Sequence, residues 1–163
     1  LAEKAFAPEQ KVISYTTCPP REGEEHGRDY YFVSKKKFKQ MVNDDQFAEY
    51  DVYDEEFYGI AKSTLREALT AGNCYDPITT TGFINLHRIF GDQMVPIWIN
   101  ISQETMIARL EKRATPEELE RRLAIFQEDV ESLERLKKFP NLIIINGEAT
   151  LEEMLLQLRQ ALD

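Results

Sequence analysis

Cysteine is scarce in this sequence: Cys18 and Cys74 are the only two among 163 residues. That excludes a disulfide framework, and neither cysteine has the C-x-x-C or Cys/His spacing of a zinc site, so a reduced, cytoplasmic chain with no metal centre of its own is expected. Histidine is as rare. His26 falls in a turn and His87 in a helix-like run, with no partner at ligand spacing. Basic residues are in the minority, with 20 Lys and Arg against 29 Asp and Glu and a net charge of −9. A field of that sign repels nucleic acid and anionic membrane, so any bound anion must be held by a local basic pocket. No apolar run approaches the length of a bilayer span, and the opening LAEKAFAPEQ lacks the basic-then-apolar order of a signal peptide. Internal repeats and low-complexity segments are missing too.

What remains is an ordinary globular composition, 42% hydrophobic, enough for one domain with one core. LAEKAF reads as helix stopped ahead of Pro8. KVISYT (11–16), DYYFV (29–33) and FAEYDVY (47–53) read as short strands. Between the last two, SKKKFKQMVND has Ser34 as N-cap and sets Phe38, Met41 and Val42 on one helical face. KSTLREALTAG (62–72) reads as a helix closed by Gly72, and NCYDPITTTGFINLHRIFGD stays unassigned. MVPIWINI (94–101) and NLIIIN (141–146) are continuous apolar runs of the kind buried on both faces of a parallel sheet. Thr115-Pro116-Glu117-Glu118 and Thr150-Leu151-Glu152-Glu153 are helix starts with capping boxes, and Leu151, Met154, Leu155, Leu158 and Leu162 form an apolar face expected to pack on the sheet. Strands alternating with helices in the C-terminal half give an α/β class, with a small mostly-β lobe inserted earlier.

One motif is a decoy. GIAKST (59–64) ends like a phosphate-binding G-x-x-x-x-G-K-[ST] loop, but Glu56 and Ala61 stand where its glycines must be. An ordinary helix start after Gly59 is expected instead.

The most specific stretch is SYTTCPPREGEEHGRDYYFVS (14–34). Together with FAEY, FYG and RLEKRATPEELERRL it resembles the guanylate kinases, whose signature reads S-x-T-T-R-x-P-R-x-G-E-x-x-G-x-D-Y-x-F-V-S. The resemblance runs from about residue 11 to the C-terminus, with one poor section. It implies a P-loop kinase-like parallel sheet flanked by helices, a mostly-β nucleotide-monophosphate lobe (12–60), core segments (61–112 and 139–163), and a helical lid with a long helix (113–138), all in one domain. It also implies transfer of the ATP γ-phosphate to GMP with Mg²⁺ and small-molecule nucleotides as the partners. The P-loop of such a fold would lie upstream of Leu1, or this protein has lost it.

The same resemblance assigns roles. Ser14 and Arg21 fall on positions that bind the GMP phosphate, where a guanidinium fork suits a dianion. Tyr30 and Tyr58 match tyrosines whose hydroxyls reach that phosphate; by spacing alone, core filler is an equal reading. Glu49 matches the carboxylate that accepts from guanine N1–H and N2–H₂, and could equally be the polar face of a strand. Arg113 and Arg122 match lid arginines that offset charge in phosphoryl transfer, although Arg113 also suits a helix C-terminus. Asn146 resembles the residue near the adenine.

Three positions depart from the family pattern. Cys18 replaces an arginine, Ile60 replaces a Ser or Thr that bonds guanine, and CYDPITTTG replaces a strand ending in D-x-D, leaving Asp76 as the nearby carboxylate. They keep two further readings open: a monophosphate kinase with altered base preference, and a non-catalytic module that binds a phosphorylated ligand or peptide.

Overall fold

The computed structural model of the chain describes residues 1–111 and 114–162. It resolves into two compact units, one spanning Ala2–Gly91 and the other running from Asp92 onward.

In the first unit a short helix, α1 (Ala2–Ala5), stops before Pro8 as expected. Next come β1 (Tyr15–Thr16), β2 (Tyr31–Phe32), α2 (Lys35–Asn43), β3 (Phe47–Tyr53), β4 (Glu56–Ala61), α3 (Lys62–Ala71) and α4 (Thr80–Phe90). The strands form one mixed sheet in the order β2-β1-β4-β3, with β1 and β2 parallel and the other pairs antiparallel. Asp54 and Glu55, both at positive φ, make the two-residue turn joining β3 to β4, a conformation that matches the twist of a tight hairpin.

The first two strands are shorter than the sequence suggests. Residues 11 and 12 leave the ladder, and Lys11 bridges to Tyr75 instead. The period-2 burial persists all the same, with Val12, Ser14 and Thr16 buried on one face.

The core of this unit is aromatic. Phe38 is fully buried and stacks on Phe47 with ring centroids 4.4 Å apart; Met41 and Ala61 close the cluster. Phe38 and Met41 come from the face of α2 that the sequence singled out, and Ser34 Oγ accepts from Lys37 N at its N-terminus. The unassigned stretch becomes α4, capped by Thr79 Oγ1, which accepts from Gly82 N at 3.0 Å. The decoy segment is the end of β4 running into α3, as expected.

The second unit holds β5 (Ile97–Asn100), α5 (Gln103–Leu110), α6 (Pro116–Leu136), β6 (Ile143–Asn146) and α7 (Leu151–Leu162). β5 and β6 pair in parallel. Both capping boxes form, Thr115 with Glu118 and Thr150 with Glu153.

Burial on both strand faces does not occur. Ile97, Ile99 and Ile144 are exposed, whereas Ile145 is buried. A ladder of two strands among the described residues offers few neighbours to cover its apolar side chains. α7 lies along β6 and buries Leu158, but Leu151 and Leu162 stay exposed. The reason is length: twelve helical residues span about 18 Å, while a four-residue strand spans about 13 Å, so both helix ends overrun the sheet.

Candidate functional site

The signature residues sit in the first unit, in the β1–β2 connection and on the adjoining strands. The connection is held by its own side chains. Glu24 Oε2 accepts from Arg21 N at 2.8 Å, Asp29 Oδ2 accepts from Glu25 N at 2.8 Å, and Arg28 pairs with Asp29 and Glu25. Arg21 itself is on the surface. Its side chain is 69% exposed and its guanidinium lies 3.9 Å from Glu24.

Tyr30 and Tyr58 come together edge to face, with ring centroids 6.1 Å apart, one placed by the approach to β2 and the other by β4. Burial raises the pKa of both hydroxyls, that of Tyr58 to about 12 with help from the neighbouring Cys18, so both remain protonated donors at neutral pH. Arg21 is close enough to Tyr30 to oppose the rise, and Asp76 and Glu24 add to it. Cys18 lies beside Tyr58, its backbone N–H donating to Thr16 Oγ1 at 3.1 Å.

A second cation is close by that sequence reasoning missed. Lys11 places its ammonium 5.7 Å from the Tyr30 ring centroid, with a side chain only 15% exposed and a loose ion pair to Glu3 at 3.8 Å. The signal for it lies in position alone: Lys11 is the residue that bridges to Tyr75 ahead of β1.

Further along the same sheet is a buried polar group. Ser14 and Glu49 are 4% and 8% exposed, and Ser14 Oγ donates to Asp76 Oδ2. Glu49 stands opposite the buried Ile60 in the β3–β4 ladder, beside the bulge between Phe47 and Glu49. The other side of its carboxyl is α4. A Cβ on Gly82 would come within 2.6 Å of Glu49 Oε2, so a glycine is what gives the carboxylate room there. Asp51 accepts from Thr79 Oγ1 at 2.6 Å, tying β3 to the cap of α4.

Burial drives the Glu49 carboxyl up from 4.5 to about 7, with Asp51 adding to it, and drives Asp76 up from 3.8 to about 7. Glu49 Oε2 and Asp76 Oδ1 are buried and accept no hydrogen bond from the described residues. The sequence reading noticed Asp76 only as a nearby carboxylate; its burial arises from the Tyr75 bridge, which no local pattern announces.

The remaining candidates are in the second unit. Arg122 lies on α6, where its charge acts on the partly buried Asp129. Asn146 ends β6, accepts from Glu148 N at 3.0 Å, and borders a depression of about 450 Å³ lined also by Glu148, Glu153, Leu156 and Gln157. Arg113 lies outside the described residues. Among the described residues no three His, Cys, Asp or Glu side chains are grouped to hold a metal, and no helix is long and apolar enough to cross a membrane.

Comparison with known proteins gives a consistent picture. The guanylate kinase family model matches residues 3–163. The guanylate kinase of Bacteroides fragilis is 34% identical over 120 residues, 69% of this chain and 57% of that protein. That of Wolbachia pipientis wMel is 32% identical over 142 residues, covering 85% and 69% respectively. The chain thus spans little more than half the length of several curated relatives it matches. The crystal structure of guanylate kinase from Anaplasma phagocytophilum superposes with a TM-score of 0.68 at 22% identity, over 93% of this chain and 72% of that one, and shows the same fold. Since the family model covers nearly every residue from Glu3 onward, the chain belongs to the guanylate kinase family.

Proposed function

We propose that this chain carries the acceptor side of a nucleoside-monophosphate kinase, binding GMP or a related purine monophosphate in its first unit for phosphorylation by ATP. The observation that carries the reading is the meeting of Tyr30 and Tyr58 beside Cys18, on the same sheet that buries Ser14 and Glu49. Two protonated phenols offer donors to a phosphate, and Arg21 and Lys11 supply the positive charge that the chain as a whole lacks. Arg21 must exchange Glu24 for the ligand. An exposed pair at 3.9 Å is weak enough to allow it. Glu49, when ionised, presents two acceptor oxygens to the N1–H and 2-amino groups of guanine.

In phosphoryl transfer the protein's work is positioning and charge stabilisation. On this reading the first unit holds the acceptor phosphate. Arg113 and Arg122, in the segment 113–138 taken as a lid, are assigned by the family resemblance to offset charge on a transferring group. ATP and Mg²⁺ follow from family membership, with Asn146 beside the adenine. The acidic composition argues against nucleic acid or anionic membrane as a partner, and the two free cysteines fit the cytoplasm.

The substitution of Cys18 for an arginine favours one rival, a module that binds a phosphorylated ligand without turnover. Calorimetric titration with GMP, paired with a GMP-dependent assay of ADP release from ATP, separates the two. GMP binding together with ADP release is expected. Binding without release supports the module, and failure of GMP, AMP and IMP alike to bind contradicts the acceptor assignment.

A further inference from the structure

Glu49 and Asp51 stand two residues apart on β3, and both turn inward while Tyr50 and Val52 are exposed. Their carboxyls meet different conditions. Both oxygens of Asp51 are engaged: Oδ2 accepts from Thr79 Oγ1 at 2.6 Å and Oδ1 from Val52 N at 2.8 Å. Glu49 Oε2 is buried and accepts from none of the described residues. A buried acceptor without a donor is costly unless a ligand supplies one.

The first turn of α4 accounts for the difference. A hydroxyl has one proton to give. Thr79 gives it to Asp51 and accepts from Gly82 N at 3.0 Å, so the hydroxyl is held by β3 on one side and by α4 on the other. None is left for Glu49. Gly82 in turn sets the seat of the free carboxyl. A Cβ at Gly82 would stand 2.6 Å from Glu49 Oε2, 3.1 Å from Glu49 Cδ and 3.3 Å from Thr79 Oγ1, so both side chains rest against its bare Cα. Across the strand pair, Glu49 is opposite the buried Ile60, whose side chain offers neither donor nor acceptor. The neighbours of the carboxyl therefore shape its position and leave Oε2 unpaired.

We propose that Asp51, Thr79 and Gly82 are positioning residues for base selection: the Asp51–Thr79 bond latches the first turn of α4 to β3, and Gly82 on that turn seats the Glu49 carboxylate for the guanine 2-amino group. The proposal deepens the acceptor reading and rests on it. The three act through Glu49 and not by touching the base. Hydrogen bonds weaken steeply with distance and angle, so a turn that shifts on β3 costs the contact its discrimination. A buried acceptor held in place penalises a base that brings no donor to it.

The test is calorimetric titration of GMP and IMP against the wild type, Thr79→Val, Thr79→Ser and Gly82→Ala. It is run at about pH 8, where Glu49, raised to about 7 by burial and by Asp51, is mostly ionised. The two nucleotides differ by the 2-amino group alone. Their affinity ratio isolates that contact, whereas a pocket loosened as a whole weakens both alike. Thr79→Val removes the latch. Gly82→Ala displaces the carboxylate and keeps the fold, because the nearest atoms its methyl meets are the end of a flexible side chain. Each is expected to reduce the wild-type preference for GMP over IMP by about tenfold, and Thr79→Ser, which keeps the hydroxyl, to retain it.

Thr79→Val also gives up the cap of α4. Should it not fold, Gly82→Ala decides alone. A wild type that prefers GMP, with Gly82→Ala keeping that preference, overturns the latch and leaves the acceptor site standing. Equal wild-type affinity for GMP and IMP overturns the latch too, by removing the contact it serves. Binding of neither nucleotide overturns the acceptor reading itself and the latch with it.

Discussion

The two units of this chain spend their polar and apolar residues in opposite ways. The first buries a serine, a threonine and a glutamate next to a core of stacked phenylalanines; the second leaves Ile97, Ile99 and Ile144 exposed while its charges stay at the surface or nearly so. Burying Glu49 against Ile60 costs stability, and that cost is tolerated where four strands and α2 supply a dense core. Where the sheet has two strands among the described residues, no comparable core is available to offset such a group. Buried polar groups are therefore concentrated in the unit whose packing can support them, as desolvated groups need rigid surroundings to hold them.

The largest expected effect tests the packing half of that contrast. Phe38→Ala removes a fully buried ring stacked on Phe47 and should cost about 3–5 kcal/mol, measured by denaturant unfolding. A loss below about 1 kcal/mol would mean that the aromatic cluster is not what holds the first unit together.

Arg21→Ala comes next and should act on binding alone. Affinity for GMP is expected to fall by about 1.5–3 kcal/mol, the range for a charged hydrogen bond, while the unfolding midpoint stays put because the side chain is exposed and its pair with Glu24 is loose. Unchanged affinity in a folded variant removes Arg21 from the site.

The buried carboxyl gives a pH signature. The folded-state pKa of Glu49 is raised from 4.5 to about 7, so between those values the folded state holds more proton than the unfolded chain. By linkage, stability in the absence of ligand is greatest below about pH 4.5 as far as this group is concerned. It falls as pH rises toward 7, by about 3 kcal/mol. Glu49→Gln should flatten that part of the pH–stability curve, and an unaltered curve would show that the carboxyl is not desolvated.

The smallest effect belongs to the second unit. Ile144→Thr, at a strand position 48% exposed, should change stability by no more than about 0.5 kcal/mol in the same unfolding experiment. A loss of several kcal/mol would make this face a core and erase the contrast.

Much of the first unit was legible because its local signals agree with its tertiary contacts. Phe38 and Met41 announce themselves by helical spacing, and Ser34 marks where α2 begins. FAEYDVY became β3 with the bounds that alternation suggested. α4 was opaque because Pro77 and a run of threonines mask both periodicities, and its start depends on Thr79 finding Gly82 N. β5 and β6 were recognised as parallel strands, but their exposure was misjudged, since an apolar run says how much a strand could bury and nothing about how many neighbours it has. The family signature pointed to Ser14, Tyr30, Glu49 and Tyr58, which lie on one sheet or at its edge. It could not indicate that Arg21 folds back on Glu24, or that Lys11 and Asp76 join the cluster through a single bridge to Tyr75. The second depends on contacts between residues roughly sixty positions apart, beyond the reach of any window read along the chain.

The central claim is that a purine monophosphate seats in the first unit, between the tyrosine pair and the buried carboxyls. Backbone amide NMR of the isotope-labelled chain during a GMP titration tests it most directly. Saturable shifts should centre on residues 13–18, 21, 30, 49, 58 and 76–82, with IMP giving the same pattern and AMP a weaker one. Shifts confined to the depression beside Asn146, or none at all at millimolar GMP, would contradict it.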